Sequence, residues 1–127
     1  MNNTRTDINE EALHQLAAFP EDQPVHMLNY LKYKEIDEVS GKTGKALYKD
    51  YMEQATPFFQ QIEAKISFKA KPSLMIIGPA SEMLWDEVLI VTYASKKEFF
   101  KLIQLEGYPG HIRKQALSDS RIICCIG

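Results

Sequence analysis

The order of predicted strands and helices is the feature that most constrains the fold of this chain. Its apolar patterns give four extended segments, at residues 25–34, 65–78, 84–93 and 121–126. One helix is predicted from near Gly44, and another follows Ser95 and ends near Gly107. The resulting order, β-α-β-β-α-β, is that of the ferredoxin-like split unit. The sequence therefore predicts an α+β fold in which a four-stranded antiparallel sheet carries its helices on one face.

An additional helix is predicted ahead of the first strand. Apolar residues recur at helical spacing over residues 8–19, and Pro20 ends the run. Asp7 and Glu10 stand at the spacing of a capping box, with Asp in place of the usual Ser or Thr. We therefore describe residues 1–24 as a helical extension of the ferredoxin-like unit.

Three local signals refine the remaining helices. Pro57 lies inside the apolar stripe of the helix that starts near Gly44, which predicts a kink or a break there. Ser95 and Glu98 have the residue types and spacing of a capping box. Residues 108–117 are expected to form one more short helical segment before the last strand.

Composition narrows the class of protein. The 127 residues, 45% hydrophobic and 25% charged, suit one soluble domain over 1–127. A net charge of -2 without a basic block argues against nucleic acid, and no apolar run reaches the roughly 18 residues of a membrane span. The polar, acidic N-terminus does not resemble a signal peptide. Cys124 and Cys125, the two cysteines, are adjacent and match no bridge or zinc spacing, so we expect a reducing cytoplasm.

The predicted sheet carries large apolar side chains on both faces. In 84-LWDEVLIVTY-93 they alternate to both sides: Trp85, Leu89, Val91 and Tyr93 on one, and Leu84, Val88 and Ile90 on the other. The segments 74–77 and 121–126 repeat this pattern. If the second face of the sheet were in contact with solvent, it would expose a larger apolar patch than soluble monomers usually carry. We therefore expect an obligate homodimer that packs sheet to sheet; the alternative is that the N-terminal helix covers this face.

A series of short motifs resembles a known family. They are 27-MLNYLKYK-34, 48-YKDYM-52, 85-WDEVLIVTY-93 with Ser95, then Tyr108, Arg113 and 117-LSDSRII-123. Their order and spacing are similar to those of the family catalogued as domain of unknown function 1330, over residues 25–124. The resemblance implies membership of the dimeric α+β barrel group, in which two ferredoxin-like protomers form a shared barrel.

The family itself has no established activity, but the wider group includes enzymes. Among them are cofactor-independent monooxygenases, heme-degrading enzymes and muconolactone isomerase-like enzymes, beside stress-responsive barrel proteins. Two positions depart from the family pattern. Tyr93-Ala94 replaces a common Tyr-Pro, and Glu63-Ala64 replaces a glycine pair that often follows the long helix. We expect the second change to reshape one wall of a pocket.

In such a fold the hollow lies between the sheet and its helices, so polar side chains aimed there are candidate ligand contacts. Asn29 sits in the middle of a strand, and its amide is costly to bury unpaired. Trp85 could form a flat wall for a planar ligand. Tyr48 and Tyr51 share one side of a helix, and their hydroxyls could bind a ligand oxygen. Each of these residues also has a purely structural interpretation, as a satisfied or packed core side chain.

Two residues of the short segment after Gly110 complete the candidate site. Arg113 is a permanent cation with a planar fork suited to carboxylate, although it could equally form a structural salt bridge. His111 could act as a general base, or it could be a solvated loop residue. Neither metal-ligand spacing nor a phosphate-binding glycine loop is found, so we expect no metal and no cofactor.

Two functions follow as hypotheses. The first is a cofactor-independent enzyme, monooxygenase-like or isomerase-like, acting on a small aromatic or carboxylate metabolite through a stabilised enolate. The second is a non-catalytic, stress-associated or ligand-binding dimer that uses the same hollow. A titratable base beside Asn29, such as His111 or Asp86, would favour the enzyme. A packed interior without a cavity would make Asn29 structural.

Overall fold

The computed structural model describes residues 5–127 and contains one mixed α+β unit. The strands are β1 (Val25–Tyr33), β2 (Ala64–Ala70), β3 (Glu87–Tyr93) and β4 (Leu117–Cys125). The helices are α1 (Glu10–Ala17), α2 (Gly44–Phe59), α3 (Lys96–Gln104) and α4 (Gly110–Ala116), with a short 3₁₀ turn at Ala80–Glu82. The sheet is antiparallel with strand order β2-β3-β1-β4. The predicted α+β class and its four-stranded antiparallel sheet are confirmed.

The central strand β1 separates the two faces of the sheet. Alternate residues from Val25 to Leu31 are buried, and Leu31 is fully inaccessible to solvent. These side chains pack against the apolar stripe of α2, with buried Leu47 and Ala55, and against Leu102 of α3. The buried side of β1, with its period of two, and the apolar side of α2, with its helical period, therefore pack together in one core.

Helix α1 lies with the other helices and not on the opposite face of the sheet. Leu16 joins the main core, and the Lys96 ammonium at the start of α3 donates hydrogen bonds to the carbonyls of Ala17 and Phe19. These bonds cap the end of α1 against α3. The alternative in which the N-terminal helix covers the second face is therefore wrong.

Both predicted capping boxes are wrong in detail, because the acidic residues have other partners. Asn9, and not Asp7, caps α1, since its side chain accepts from the amide of Ala12 at 3.1 Å. Ser95 precedes α3 without a side-chain cap bond. Glu98 instead accepts from the Glu63 amide at 2.7 Å, which ties α3 to the start of β2.

Several boundaries also differ from the sequence prediction. Pro57 does not interrupt α2. It lies in the last turn, and the helix ends two residues later at Phe59. Strand β2 ends at Ala70, which pairs with Val88 near the start of β3. The segment predicted to extend to residue 78 is instead an exposed loop, in which Ile77 is 91% accessible.

The sheet face away from the helices, here called the open face, carries an apolar row. One side chain from each strand forms a row across it: Phe68, Ile90, Leu28 and Ile123. Phe68 is 50% and Ile123 48% exposed, and no helix of residues 5–127 lies over them. Within the same residues, no helix combines the length and apolar character needed to cross a membrane.

Candidate functional site

A cavity of about 1020 Å³ lies between the helix-side face of the sheet and the helices. Strands β1 and β3 form its floor, and α2, α3 and α4 form its walls. The segment before α1, from Thr6 to Ile8, closes one side. The hollow expected for this fold is therefore present, and the interior is not a fully packed core.

The predicted residue Asn29 lies in this cavity and is almost fully buried, with 7% of its surface accessible. Its Nδ2 donates to the carbonyl of Met27 at 3.0 Å. Its Oδ1 accepts from Nη2 of Arg113 at 3.2 Å. The same guanidinium nitrogen donates to Oγ of Ser120 at 3.0 Å. Asn29 is thus a hydrogen-bonded residue that also orients a cation in the cavity wall.

Backbone contacts place Arg113 opposite Asn29. The amide of Lys34, just after β1, donates to the carbonyl of Ala116 at 3.0 Å. The amide of Gly44 donates to the carbonyl of Lys34 at 2.9 Å. The ends of β1 and α4 and the start of α2 therefore meet at one point, which fixes α4 over the β1–β4 pair.

Tyrosine side chains surround Arg113. The rings of Tyr48 and Tyr51 lie 5.4 Å apart, and the hydroxyl of Tyr51 forms a short hydrogen bond with that of Tyr108. Burial raises the pKa of Tyr48 and of Tyr51 well above the usual value, although the charge of Arg113 opposes this. Burial likewise raises the pKa of Tyr108 to about 12. All three phenols are therefore neutral near pH 7 and can donate hydrogen bonds.

His111 lines the cavity at its rim and is exposed to solvent. Its imidazole makes no hydrogen bond or ion pair with any residue from 5 to 127. The other proposed base, Asp86, does not line the cavity. Its Oδ2 accepts from the amide of Tyr33 at 2.8 Å, and its own amide donates to the carbonyl of Leu31. No carboxylate is therefore bonded to Asn29 in the described chain.

Trp85 is separated from the other predicted site residues. Its ring lies 5.7 Å from that of Tyr30, and the guanidinium of Arg121 lies over it at 5.3 Å. Tyr30 pairs with Val88, which places both on the open face. Strand β3 begins only at Glu87, so the alternation that placed Trp85 beside Leu89 does not extend back to it. Trp85 does not line the cavity.

Sequence reasoning missed three contributors to the site. Ser120 was not a candidate, because the last strand was predicted to begin at residue 121 and not at Leu117. Tyr108 belongs to a quoted motif but was not predicted as a site residue. Its contact with Tyr51, 57 residues away in sequence, forms only in the folded chain. The third is the N-terminal segment, where Asp7 forms an ion pair with Lys114. No spacing in the sequence links those two residues.

The chain matches no protein-family model and no curated protein. Its structure is similar to the crystal structure of RPA0582, a protein of unknown function from Rhodopseudomonas palustris. The two are 29% identical with a TM-score of 0.87, over 98% of each chain. For methylated RPA0582 the identity is 28% and the TM-score 0.84, over 96% of this chain and 93% of that one.

A looser similarity is to SnoaB, a cofactor-independent oxygenase from Streptomyces nogalater. The identity is 13% and the TM-score 0.49, over 83% of this chain and 93% of SnoaB. That score is too low to carry an argument. The fold and cavity thus define an α+β protein with a structural counterpart of unknown function.

Proposed function

We propose that this protein is a homodimeric α+β barrel protein of the family catalogued as domain of unknown function 1330, and that it binds a small molecule in the cavity beneath its helices. The observation that carries this proposal is the setting of Arg113. Its guanidinium lies in the cavity wall, and its hydrogen bonds go to neutral side chains, Asn29, Ser120 and the Tyr48 hydroxyl. Within residues 5–127 it has no carboxylate partner.

The energetics of a half-buried cation support a ligand. Removing charge from water is costly unless a counter-charge or good hydrogen bonds replace the solvent. Arg113 has five N–H donors, more than its neutral acceptors Asn29, Ser120 and Tyr48 satisfy. A ligand with acceptor oxygens would satisfy the remaining donors, and the large cavity gives it room.

The open face supports the dimeric part of the proposal. A row of apolar side chains crosses all four strands, and its ends Phe68 and Ile123 are each about half exposed. With α1 on the other side, the described chain has nothing to cover this row. A second copy packed sheet to sheet would cover it and would close the barrel.

A cofactor-independent enzyme is the second candidate, and the contact between Tyr51 and Tyr108 favours it. Two neutral phenols beside Arg113 are suited to hold an oxyanion or an enolate oxygen. His111, at the rim, is the residue that would take the proton. We rank this candidate second, because His111 is exposed and lacks an orienting partner.

The test is a thermal-shift screen of small metabolites on the wild type and on Asn29→Ala. A ligand present at about 100 times its dissociation constant stabilises the folded state by about 2.7 kcal/mol. For a domain of this size that corresponds to a rise in Tm of roughly 8–12 °C. We expect such ligands to lose most of this shift in Asn29→Ala, because the variant no longer positions Arg113.

Gln104→Ala is the matched control, since this carboxamide is exposed at the end of α3, outside the cavity lining. It should retain the full shift. A ligand that raises the Tm of all three proteins equally binds elsewhere. If every hit behaves in that way, the proposed site is wrong. Turnover of a hit by the wild type, lost in His111→Gln, would promote the enzyme to first place.

A further inference from the structure

We propose that the ligand is an amphipathic monocarboxylate, held with its carboxylate on Arg113 and its apolar body along the row formed by Met27, Val91 and Ile66. This inference rests on the proposed function, because it assigns a chemical class to the same cavity. Two independent features carry it: the charge distribution at one end of the cavity, and the side chains of the sheet floor beyond that end.

The charge distribution favours one anionic group. Among the residues lining the cavity, Lys114 is already paired with Asp7, so this pair adds little net charge. Lys65 and Glu10 also line the cavity, but both are exposed and their charges are opposite. Arg113 therefore supplies the inner cation, and Tyr48 beside it is a neutral donor. One guanidinium and neutral donors match the single charge of a carboxylate better than the double charge of a phosphate monoester.

The guanidinium also has the geometry for a carboxylate. Its Nη2 donates to Asn29 and Ser120, which fixes the plane of the fork. Its remaining N–H donors, on Nη1 and Nε, lie on opposite edges of the guanidinium. One carboxylate oxygen would accept from one of these donors, and the other oxygen would accept from the Tyr48 hydroxyl beside it.

The apolar end follows from the register of the sheet. Met27 on β1 pairs with Val91 on β3, and Val91 pairs with Ile66 on β2, so these three side chains form one row on the cavity floor. Met27 and Val91 are buried, and Ile66 is 46% exposed at the sheet edge. From β1 to β2 the row spans two strand spacings, roughly 10 Å. A phenyl or short alkyl group would cover this row.

The probes are 4-phenylbutanoate and its uncharged primary amide, titrated calorimetrically into the full-length protein near pH 7. We expect the acid to bind wild type at least tenfold more tightly than the amide. Arg113→Met should weaken binding of the acid at least tenfold and leave the affinity for the amide unchanged. Ile66→Ala should weaken acid and amide by the same factor, because both carry the same apolar body.

Lys101→Met is the control for the loss of one positive charge, since this lysine is exposed on α3 and does not line the cavity. It should bind the acid as wild type does. If Arg113→Met does not fold, Arg113→Lys replaces it. That variant keeps the charge but loses the planar fork, and we expect a clear but smaller loss of affinity for the acid.

The outcomes separate this inference from the proposed function. Equal affinity of wild type for acid and amide, unchanged in Arg113→Met, would overturn the carboxylate assignment and leave a neutral-ligand pocket. No binding of either probe, together with screen hits that depend on Asn29, would also overturn the assignment while the proposed site stands. If no hit in the screen depends on Asn29, the proposed site fails as well.

Discussion

At the scale of single residues, the site is organised by Asn29 and Arg113. Alternation along β1 was enough to predict that Asn29 points toward the helices, because its neighbours Met27 and Leu31 share its face. The partnership with Arg113 could not be predicted, since the two residues are 84 positions apart and meet only when α4 packs over β1. Ser120, which completes the set of bonds, was missed because the last strand was predicted to begin at residue 121.

Burial at single positions gives a direct prediction of stability. Leu31 of β1 is fully buried, so Leu31→Ala would leave a cavity in the core. We expect a loss of about 2–5 kcal/mol in the free energy of unfolding, measured by urea denaturation. Ile77→Ala, at a position 91% exposed, should change it by less than about 0.5 kcal/mol. Equal effects at the two positions would contradict the placement of β1.

At the scale of elements, the junction of β1, α2 and α4 determines where the site forms. A Cβ at Gly44 would overlap backbone atoms of Lys34 and Ala116, which cannot move aside like a flexible side chain. We therefore expect Gly44→Ala to lower the free energy of unfolding by about 1–3 kcal/mol in chemical denaturation.

The control for this junction is Gly110→Ala, at the start of α4. There a Cβ would meet only the ring of Tyr108, at an ordinary contact distance of 3.4 Å. It should be nearly neutral or slightly stabilising, since alanine favours helix over glycine. If Gly44→Ala is as well tolerated as Gly110→Ala, the close approach of these backbones is wrong.

The loop between β1 and α2 is held by Asp37. Its carboxylate accepts from the hydroxyl and amide of Ser40, and from Gln115 of α4 at 2.7 Å. These bonds, led by that of the Ser40 hydroxyl, lower the pKa of Asp37 to about 2. Because the folded pKa lies below the unfolded value of about 3.9, the stabilisation is complete above pH 4 and is lost as the pH falls toward 2.

We expect wild type to be more stable than Asp37→Asn in urea at pH 5, and the difference to shrink between pH 4 and pH 2. Glu38→Gln, a change at the exposed neighbouring carboxylate, serves as the control and should track wild type across this range. A constant gap between wild type and Asp37→Asn over the whole titration would rule out the carboxylate as its source.

Element types were more predictable than element ends. The periods of β1, β3 and α2 were clear in the sequence, because burial on one side imposes a repeat. β2 has no buried residue and was predicted only as an extended segment. Caps and ends were missed where a long-range contact decides them. The Glu98 carboxylate accepts from the Glu63 amide and does not cap its own helix. Strand β4 begins at Leu117 because Leu117 pairs with Tyr33 of β1.

At the scale of the whole molecule, the account depends on what covers the open face. The sequence predicted apolar side chains on both faces of the sheet, and the row through Leu28 and Ile90 fits that prediction. The prediction failed for residues 74–77, which lie in an exposed loop and add nothing to the sheet. The proposed homodimer therefore depends on the row Phe68, Ile90, Leu28 and Ile123, whose members lie opposite one another on neighbouring strands.

Ile123→Asp should convert the proposed dimer to a monomer, because it places a charge within the apolar row that the two sheets would bury. Sedimentation velocity at micromolar concentration measures this directly. Ile36→Asp is matched in residue type and exposure, 54% against 48%, but lies in the loop before α2. It should leave the dimer intact. A wild-type protein that sediments as a monomer would contradict the proposed assembly.

The most direct test of the central claim is a crystal structure of the protein soaked with 4-phenylbutanoate. We expect electron density in the cavity, with the carboxylate within hydrogen-bond distance of the Arg113 guanidinium and the phenyl ring over Met27 and Val91. Density for the probe outside the cavity only, or a carboxylate placed away from Arg113, would contradict it.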